Sequence, residues 1–302
     1  MVQADSVKQK IIVVAGATAT GKSDLAVEAA LKFNGRVISA DSMQIYRGAD
    51  IGTGKLPPEK RGGVPHYLID IKNPDEEFSV GDFITEAQNA VAQTAAAGAV
   101  PIIAGGTGLY IDALLNGYNL AAAPKSGAIR AELEAEELPA LYAKLKKVDP
   151  ASAAKISPND KKRAVRALEI FYVTGKPKSE AAVREAESRY EYKFILLTAD
   201  RSGLYKKIDA RVDAMLRSGL LDEARSLYKY RDCQSMRAIG YKELMAHLDG
   251  KLSYADAVEE IKRNTRRYAK RQITYFGRMK ADKIAVNIAE KERIFSIMSD
   301  IL

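Results

Sequence analysis

The stretch IIVVAGATATGKS, residues 11–23, decides the fold. Its first part, IIVVAG (11–16), is a β-branched apolar run ending in glycine, and a run without polar alternation predicts a strand buried on both faces. Gly16-Ala17-Thr18-Ala19-Thr20-Gly21-Lys22-Ser23 then satisfies G-x-x-x-x-G-K-[ST]. The glycines let the chain wrap tightly enough for backbone N–H groups to point inward. Lys22 adds a cation, and the following helix adds its N-terminal dipole. After Lys22, Leu25, Ala29 and Phe33 lie near one helix face, and Asn34-Gly35 is a stop signal. Strand, glycine-rich loop and helix in that order predict a phosphate site. Its candidate contacts are Gly16, Thr18, Ala19, Thr20, Gly21, Lys22 and Ser23, with the Ser23 hydroxyl as the candidate ligand for Mg²⁺.

Outward from this unit the pattern repeats. RVISAD (36–41), HYLIDI (66–71) and AVPIIAGG (99–106) read as further strands, with an Ala-rich helix over 79–97 before the last. KFILLTAD (193–200) resumes the same strand type and leads into a helix over 201–217. Apolar strands separated by helices predict a P-loop NTPase-like α/β core, a parallel sheet with helices on both faces. Between 121 and 190 the chain is instead rich in Ala, Lys and Glu and punctuated by Pro124, Pro139, Pro150, Pro158 and Pro177. Helical spacing there covers 133–147 and 160–173, so residues 121–190 read as an inserted all-helical domain, with 1–120 and 191–302 forming the core. Residues 253–280 read as one long helix capped by Ser253.

Composition narrows the class. The 302 residues carry 47 Lys+Arg against 39 Asp+Glu, and 47% are hydrophobic, which excludes a mainly disordered chain. Residues 1–120 hold 10 basic and 13 acidic residues, whereas 121–302 hold 37 and 26. Within 261–283 nine basic residues face one acidic residue, Asp282. Such asymmetry fits a polyanionic partner for the C-terminal part, and fits a solvated basic helix face equally well. Cys233 is the single cysteine, so neither a disulfide scaffold nor a thiolate zinc site is available. No apolar run approaches the ~18 residues of a membrane span, and MVQADSVKQK lacks signal-peptide form, so a cytoplasmic protein is expected.

Ligands of such sheets sit at the C-terminal strand ends, which directs attention to Asp41 and to Gly105-Gly106-Thr107-Gly108-Leu109-Tyr110. Asp41 there is either an Asx-type turn residue or a carboxylate facing the phosphate loop. A strand ending in Asp, the usual second marker of a nucleotide site, fits both Asp70 and Asp200 and discriminates nothing.

The stretches GATATGKS, DSMQIYRGADIGTGK, PHYLID, FSVGDF, GGTGLY, NDKKRAVRALE, RSGLYKKIDARVDAML, SMRAIGYKE and RNTRRYAKRQITYF run in order from 16 to 276. Together they resemble the tRNA dimethylallyltransferase (tRNA isopentenyltransferase) family. Ala17 departs from the proline common there, and NLAAAPKSGAIR (119–130) matches less closely. The resemblance implies transfer of a dimethylallyl group from dimethylallyl pyrophosphate to N6 of adenosine 37, 3′ of the anticodon. The tRNAs would be those reading codons that begin with U, and the product N6-isopentenyladenosine. It implies Asp41 and Thr107 as catalytic residues, Arg211 beside the pyrophosphate, and Mg²⁺ as cofactor. It assigns tRNA contact to Asp41, Ser42, Met43, Gln44, Thr107, Arg130, Lys161, Lys162, Arg163, Ala164, Val165, Arg237, Ala238, Ile239, Gly240, Tyr241 and Lys242. A cytoplasmic monomer without membrane partners is expected.

The remaining reactive residues have ordinary readings. His66, His247 and Cys233 are expected to be structural, and Tyr268, Tyr275 and Phe276 to pack, with base stacking as the alternative. Two other functions share the phosphate loop: prenylation of free AMP, and a P-loop nucleotide kinase or RNA-binding NTPase with ATP as ligand. The helical insert and the basic C-terminal part favour a macromolecular acceptor.

Overall fold

The computed structural model describes residues 8–116, 126–181 and 188–302. The first unit comprises residues up to Ser79, Thr85–Leu115 and Arg189–Leu302. Its elements begin with β1 (Gln9–Gly16), α1 (Lys22–Phe33), β2 (Gly35–Ser39), β3 (His66–Tyr67), α2 (Val80–Ala96), β4 (Val100–Gly105) and α3 (Gly108–Leu115). The second unit, Asn116–Ser188 with Val80–Ile84 from the first turn of α2, contains α4 (Gly127–Ala135), α5 (Leu138–Val148), α6 (Pro150–Ala153), α7 (Lys161–Thr174) and α8 (Lys178–Ala181). The first unit resumes with β5 (Tyr190–Thr198), α9 (Arg201–Arg217), α10 (Leu220–Ser226), α11 (Tyr241–Leu248), α12 (Tyr254–Arg278), β6 (Lys283–Asn287) and α13 (Lys291–Ser299).

The six strands form one sheet in the order β3-β2-β4-β1-β5-β6, and every pairing is parallel. Ile11 to Ala15 of β1 are fully buried, as the uninterrupted apolar run predicts. One face packs Ile12, Val14 and Ile195 against Leu25 and Ala29 of α1 and Ile294 and Met298 of α13. On the other, Ala17 joins Leu204 and Ile208 of α9 and Ala269 of α12. The P-loop-like parallel α/β core is therefore present. Its strand order changes direction around β1, β4 and β2, whose C-terminal ends open a crevice where such folds bind ligands.

Local expectations met several corrections. HYLIDI contributes only His66 and Tyr67 to the sheet, because Leu68 and Asp70 adopt left-handed φ values of 61° and 57°. That bend brings the Asp70 carboxylate to the Lys55 ammonium. The helix expected over 133–147 is two helices, since Glu136 and Glu137 are extended and Pro139 sits in the first turn of α5. The last strand, β6, was not anticipated from its short IAV run. The long terminal helix is as expected, with Ser253 Oγ accepting the Asp256 N–H at 3.1 Å. Among the described residues the second unit contains only helices, and it has its own core of Leu133, Leu141, Leu145, Ala164, Val165 and Leu168. The expected boundary at residue 121 lies outside the described residues.

β4 and β2 come together with little clearance at the crevice. The Ala40 N–H donates to Ala104 O at 2.8 Å, and a Cβ on Gly105 would lie 2.2 Å from Ala40 O. Gly105→Ala should therefore lower stability by about 1–3 kcal/mol through overpacking. Gly127→Ala, where an added Cβ meets nothing within 4 Å, should leave the thermal midpoint nearly unchanged. Calorimetric melting of the two variants checks this, and equal midpoints would show that β4 has room to move.

Candidate functional site

At the C-terminal ends of β1, β4 and β2 lies a cavity of about 330 Å³, within the range of small-molecule sites. Thr18, Lys22 and Ser23 of the phosphate loop line it, with Asp41, Ser42, Met43 and Gln44 after β2 and Gly105-Gly106 after β4. α9 contributes Arg211, the segment before α11 contributes Arg237, Ala238, Ile239 and Gly240, and α12 contributes Tyr268, Arg271 and Gln272. The phosphate loop, residues 41–44 and residues 237–240 thus share one cavity, whereas Thr107, Tyr241, Lys242 and residues 161–165 do not line it.

The loop itself takes the expected shape. Ala19 has a left-handed φ of 62°. Lys22 Nζ donates to Ala17 O at 2.6 Å, and Thr20 Oγ1 to Ala17 O at 2.8 Å. Gly16, Ala19, Thr20 and Gly21 shape the loop without lining the cavity wall. Burial pushes the Lys22 ammonium down to about 8, and repulsion from the Arg211 guanidinium adds to the fall while Asp41 opposes it. Arg211 is likewise lowered by burial, with Asp41 and Asp24 opposing. Two poorly hydrated cations that repel each other make a receptor for a multiply charged anion. Arg211 accordingly lines the cavity rather than standing on the outer face of α9.

Asp41 satisfies both of its sequence readings. Its Oδ1 accepts the Met43 N–H at 2.9 Å, an Asx-type turn, while the carboxylate remains on the cavity wall. Thr107 Oγ1 accepts the Ser42 N–H at 3.1 Å and holds the Asp41 turn against the end of β4. Tyr268, expected to pack, instead reaches the cavity and hydrogen-bonds with Thr107 and Gln272. Burial and the Asp41 charge push its hydroxyl up to about 12, so at neutral pH it is a protonated phenol.

Gln272 is the residue that sequence reasoning missed. Its Oε1 accepts the Thr18 N–H at 2.8 Å, and its Nε2 donates to Gly106 O at 2.9 Å, so one buried amide joins the loops after β1 and β4. The available signal was the spacing 261, 265, 268 and 272, which puts four cavity residues on one face of α12. Tyr275 and Phe276 do pack: Tyr275 donates to Asp112 at 3.1 Å, and Phe276 is buried against Phe194. His66 and His247 hold backbone carbonyls.

Two ambiguities disappear. Asp70 is paired with Lys55, and Asp200 caps α9 by accepting the Gly203 N–H at 2.8 Å, so neither forms the cavity. Tyr241 is fully buried and donates to Glu223 Oε1 at 2.5 Å, which removes its side chain from any RNA-facing surface, whereas Lys242 is exposed. In the second unit, Asp160 caps α7 by accepting the Arg163 N–H at 3.1 Å. There Lys162 and Arg163 are exposed and Lys161 is half-buried, but Ala164 and Val165 belong to the core. Arg130 is committed to the buried Glu169 at 2.8 Å, alongside Arg166 at 2.7 Å.

Among the described residues no group of three or more His, Cys, Asp and Glu could hold a metal, and no helix is long and apolar enough to cross a membrane. The donor set suits a hard cation shared with a phosphate ligand: Ser23 offers one oxygen on the cavity beside Lys22.

Fold and site define a P-loop-type α/β protein whose cavity pairs a cationic phosphate loop with a carboxylate. Comparison makes the class specific. The sequence model described as IPP transferase matches residues 44–279. A tRNA dimethylallyltransferase of Geobacillus thermodenitrificans is 49% identical over 275 residues, covering 89% of this chain and 87% of the relative. The full-length tRNA isopentenylpyrophosphate transferase of Bacillus halodurans superposes with a TM-score of 0.73 at 43% identity, covering 97% of this chain and 96% of that one. A eukaryotic dimethylallyltransferase described as acting on tRNA superposes with a TM-score of 0.85 at 33% identity, covering 97% and 79%. The chain belongs to the tRNA dimethylallyltransferase family.

The Lys22 environment predicts a pH dependence for inorganic pyrophosphate binding. An anion stabilises the ammonium, so the bound form keeps its proton to higher pH than the free form. Affinity should hold below about 8 and fall by up to tenfold per pH unit above it, with proton uptake on binding. Calorimetry in buffers of different ionisation enthalpy measures that uptake. Lys22→Met should abolish the part that exceeds pyrophosphate's own titration.

Proposed function

We propose that this chain transfers a dimethylallyl group from dimethylallyl pyrophosphate to N6 of adenosine 37 in tRNAs that read codons beginning with U. The observation that carries the reading is the meeting of Asp41 with Lys22 and Arg211 in one cavity. The loop N–H groups, Lys22 and Arg211 hold the pyrophosphate. Asp41 lines the same cavity and faces the acceptor on this reading, with Ser42, Met43, Gln44 and the 237–240 segment beside it on the lining.

An aromatic amine is a weak nucleophile because its lone pair is delocalised into the ring. Asp41 accepts the N6 proton as the N6–C1 bond forms, and the C1–O bond breaks with its electron pair leaving on the pyrophosphate. Charge growing on that oxygen meets Lys22, Arg211 and the loop amides, already in position. Thr107 and the protonated Tyr268 keep the Asp41 turn oriented. Ser23 would offer its hydroxyl to Mg²⁺, which would supply further positive charge beside the pyrophosphate. Adenosine 37 must leave the anticodon-loop stack to reach Asp41. Lys161, Lys162 and Arg163 of the second unit contact tRNA phosphates on this reading. On this reading the chain acts as a monomer, and a tRNA acceptor implies a cytoplasmic setting.

Asp70 is engaged with Lys55 and Asp200 with α9, so of these three strand-end aspartates Asp41 is the one on the cavity, where prenyl transfer needs a proton acceptor. Incubation with radiolabelled dimethylallyl pyrophosphate and either undermodified tRNA or AMP decides among the three activities. Label in tRNA is expected; label in AMP alone, or in neither, overturns the proposal. Asp41→Asn should lower the transfer rate by about 10²–10⁴-fold while pyrophosphate binding persists. If most activity survives, Asp41 is not the base. Replacing Lys161, Lys162 and Arg163 by Gln should weaken tRNA binding and flatten its salt dependence by about one unit of log–log slope per lost phosphate contact. An unchanged slope in filter binding would assign the phosphate contacts to other residues.

A further inference from the structure

Glu223 of α10 is outside every motif singled out in the sequence, and it is not a cavity-lining residue. Its two carboxylate oxygens accept four hydrogen bonds. The backbone N–H groups of Asp50, Ile51 and Gly52 donate at 3.0, 2.8 and 2.9 Å, and the Tyr241 hydroxyl donates at 2.5 Å. Four donors converging on one group suit the two acceptor oxygens of a carboxylate, since a glutamine would place its own N–H donors against some of them. Burial, then the Glu223 charge, pushes the Tyr241 hydroxyl up, so it stays a donor.

The segment that Glu223 grips continues into the cavity wall, through Gly52, Thr53 and Gly54. Its other end is equally fixed. Lys55 is buried and donates to Tyr46 O at 2.6 Å, Asp50 at 2.7 Å and Asp70 at 2.5 Å. Between the two clamps, Gly54 adopts a left-handed φ of +62°, and a Cβ there would lie 1.8 Å from Arg211 Nη2. The backbone therefore lies flush against the guanidinium, which also has Met215 near the same spot. Among the described residues no hydrogen bond or ion pair orients that guanidinium. Its direction is set by what it packs against.

We propose that Glu223 is a positioning residue for Arg211: by holding the 50–54 backbone in place through three N–H groups and Tyr241, it keeps the guanidinium aimed at the pyrophosphate. This rests on the proposed role of the cavity and extends it to a residue that touches no substrate. Removing the carboxylate frees the loop, and Arg211 loses the surface that directs it while keeping its charge. The loss should therefore fall on the pyrophosphate end of the reaction and pass through Arg211.

Titration calorimetry with inorganic pyrophosphate, and steady-state transfer assays on the full chain, test this with Glu223→Gln, Arg211→Ala and the double variant. Glu223→Gln should weaken pyrophosphate binding about tenfold, the scale of one charge-assisted hydrogen bond. It should raise KM for dimethylallyl pyrophosphate similarly and leave KM for tRNA unchanged. In the Arg211→Ala background it should cost nothing further, because the group it directs is gone. An equal loss in both backgrounds, or a KM for tRNA that rises as much, would assign Glu223 a general structural role instead. If Arg211→Ala loses pyrophosphate affinity and Glu223→Gln does not, the positioning role fails and the cavity reading stands. If Arg211→Ala loses none, both fail. Should Glu223→Gln unfold at the assay temperature, Tyr241→Phe, which removes one of the four donors and keeps the carboxylate, should show the same dependence on Arg211 with a smaller loss.

Discussion

Lys22 and Arg211 are two cations brought together where water is scarce, and much of the core unit serves to hold them there. Among the described residues neither forms an ion pair; Asp41 opposes the depression of both, yet Lys22 is still lowered to about 8. Such an arrangement costs folding free energy, because unfolding would return both groups to water. It persists because independent packing fixes each cation. β1 and α1 carry Lys22, while Ile208 and Val212, buried on α9, fix the helix that presents Arg211. The pyrophosphate that we propose as the ligand has the charge that this arrangement lacks.

Around that pair the site is joined by polar contacts between segments far apart in sequence. Gln272 bonds to the loop after β1 and to the loop after β4, and Thr107 bonds to the turn after β2. Glu223 and Lys55 fix the segment that faces Arg211. These bonds join segments of different elements, so a shift in one segment costs hydrogen bonds in the next. A site built this way is rigid without being close-packed, and it leaves the cavity open for a substrate.

The second unit solves a different problem. Its core is small and aliphatic, and a buried Glu169 draws Arg130 and Arg166 together and accepts the Ser126 N–H at 3.1 Å. Burial raises the Glu169 carboxyl, but the hydrogen bonds from Arg166 and Arg130 outweigh it and hold it below the usual carboxylate range. The basic residues on α7 therefore divide. Arg166 is internal to this network, while Lys162 and Arg163 remain exposed.

The α/β class, the phosphate loop and the family were legible in the sequence because each depends on local order: a two-sided apolar strand, glycines at fixed spacing, a helix immediately after. Asp41, Lys22 and Ser23 could be named for the same reason. Gln272, Glu223 and the cavity position of Tyr268 could not, since their partners lie up to 254 residues away and nothing local marks a glutamine or glutamate as a strut. Sequence pattern also overstated some assignments. It extended β3 through a bend that Lys55 and Asp70 impose, and it left Asp70 and Asp200 as equal candidates until their partners were visible. Local chemistry thus determined the phosphate-loop pattern and placed Asp41 at the end of a strand. Only the tertiary structure decided which groups meet, because burial, mutual repulsion and shared hydrogen bonds arise between segments that the chain itself keeps far apart.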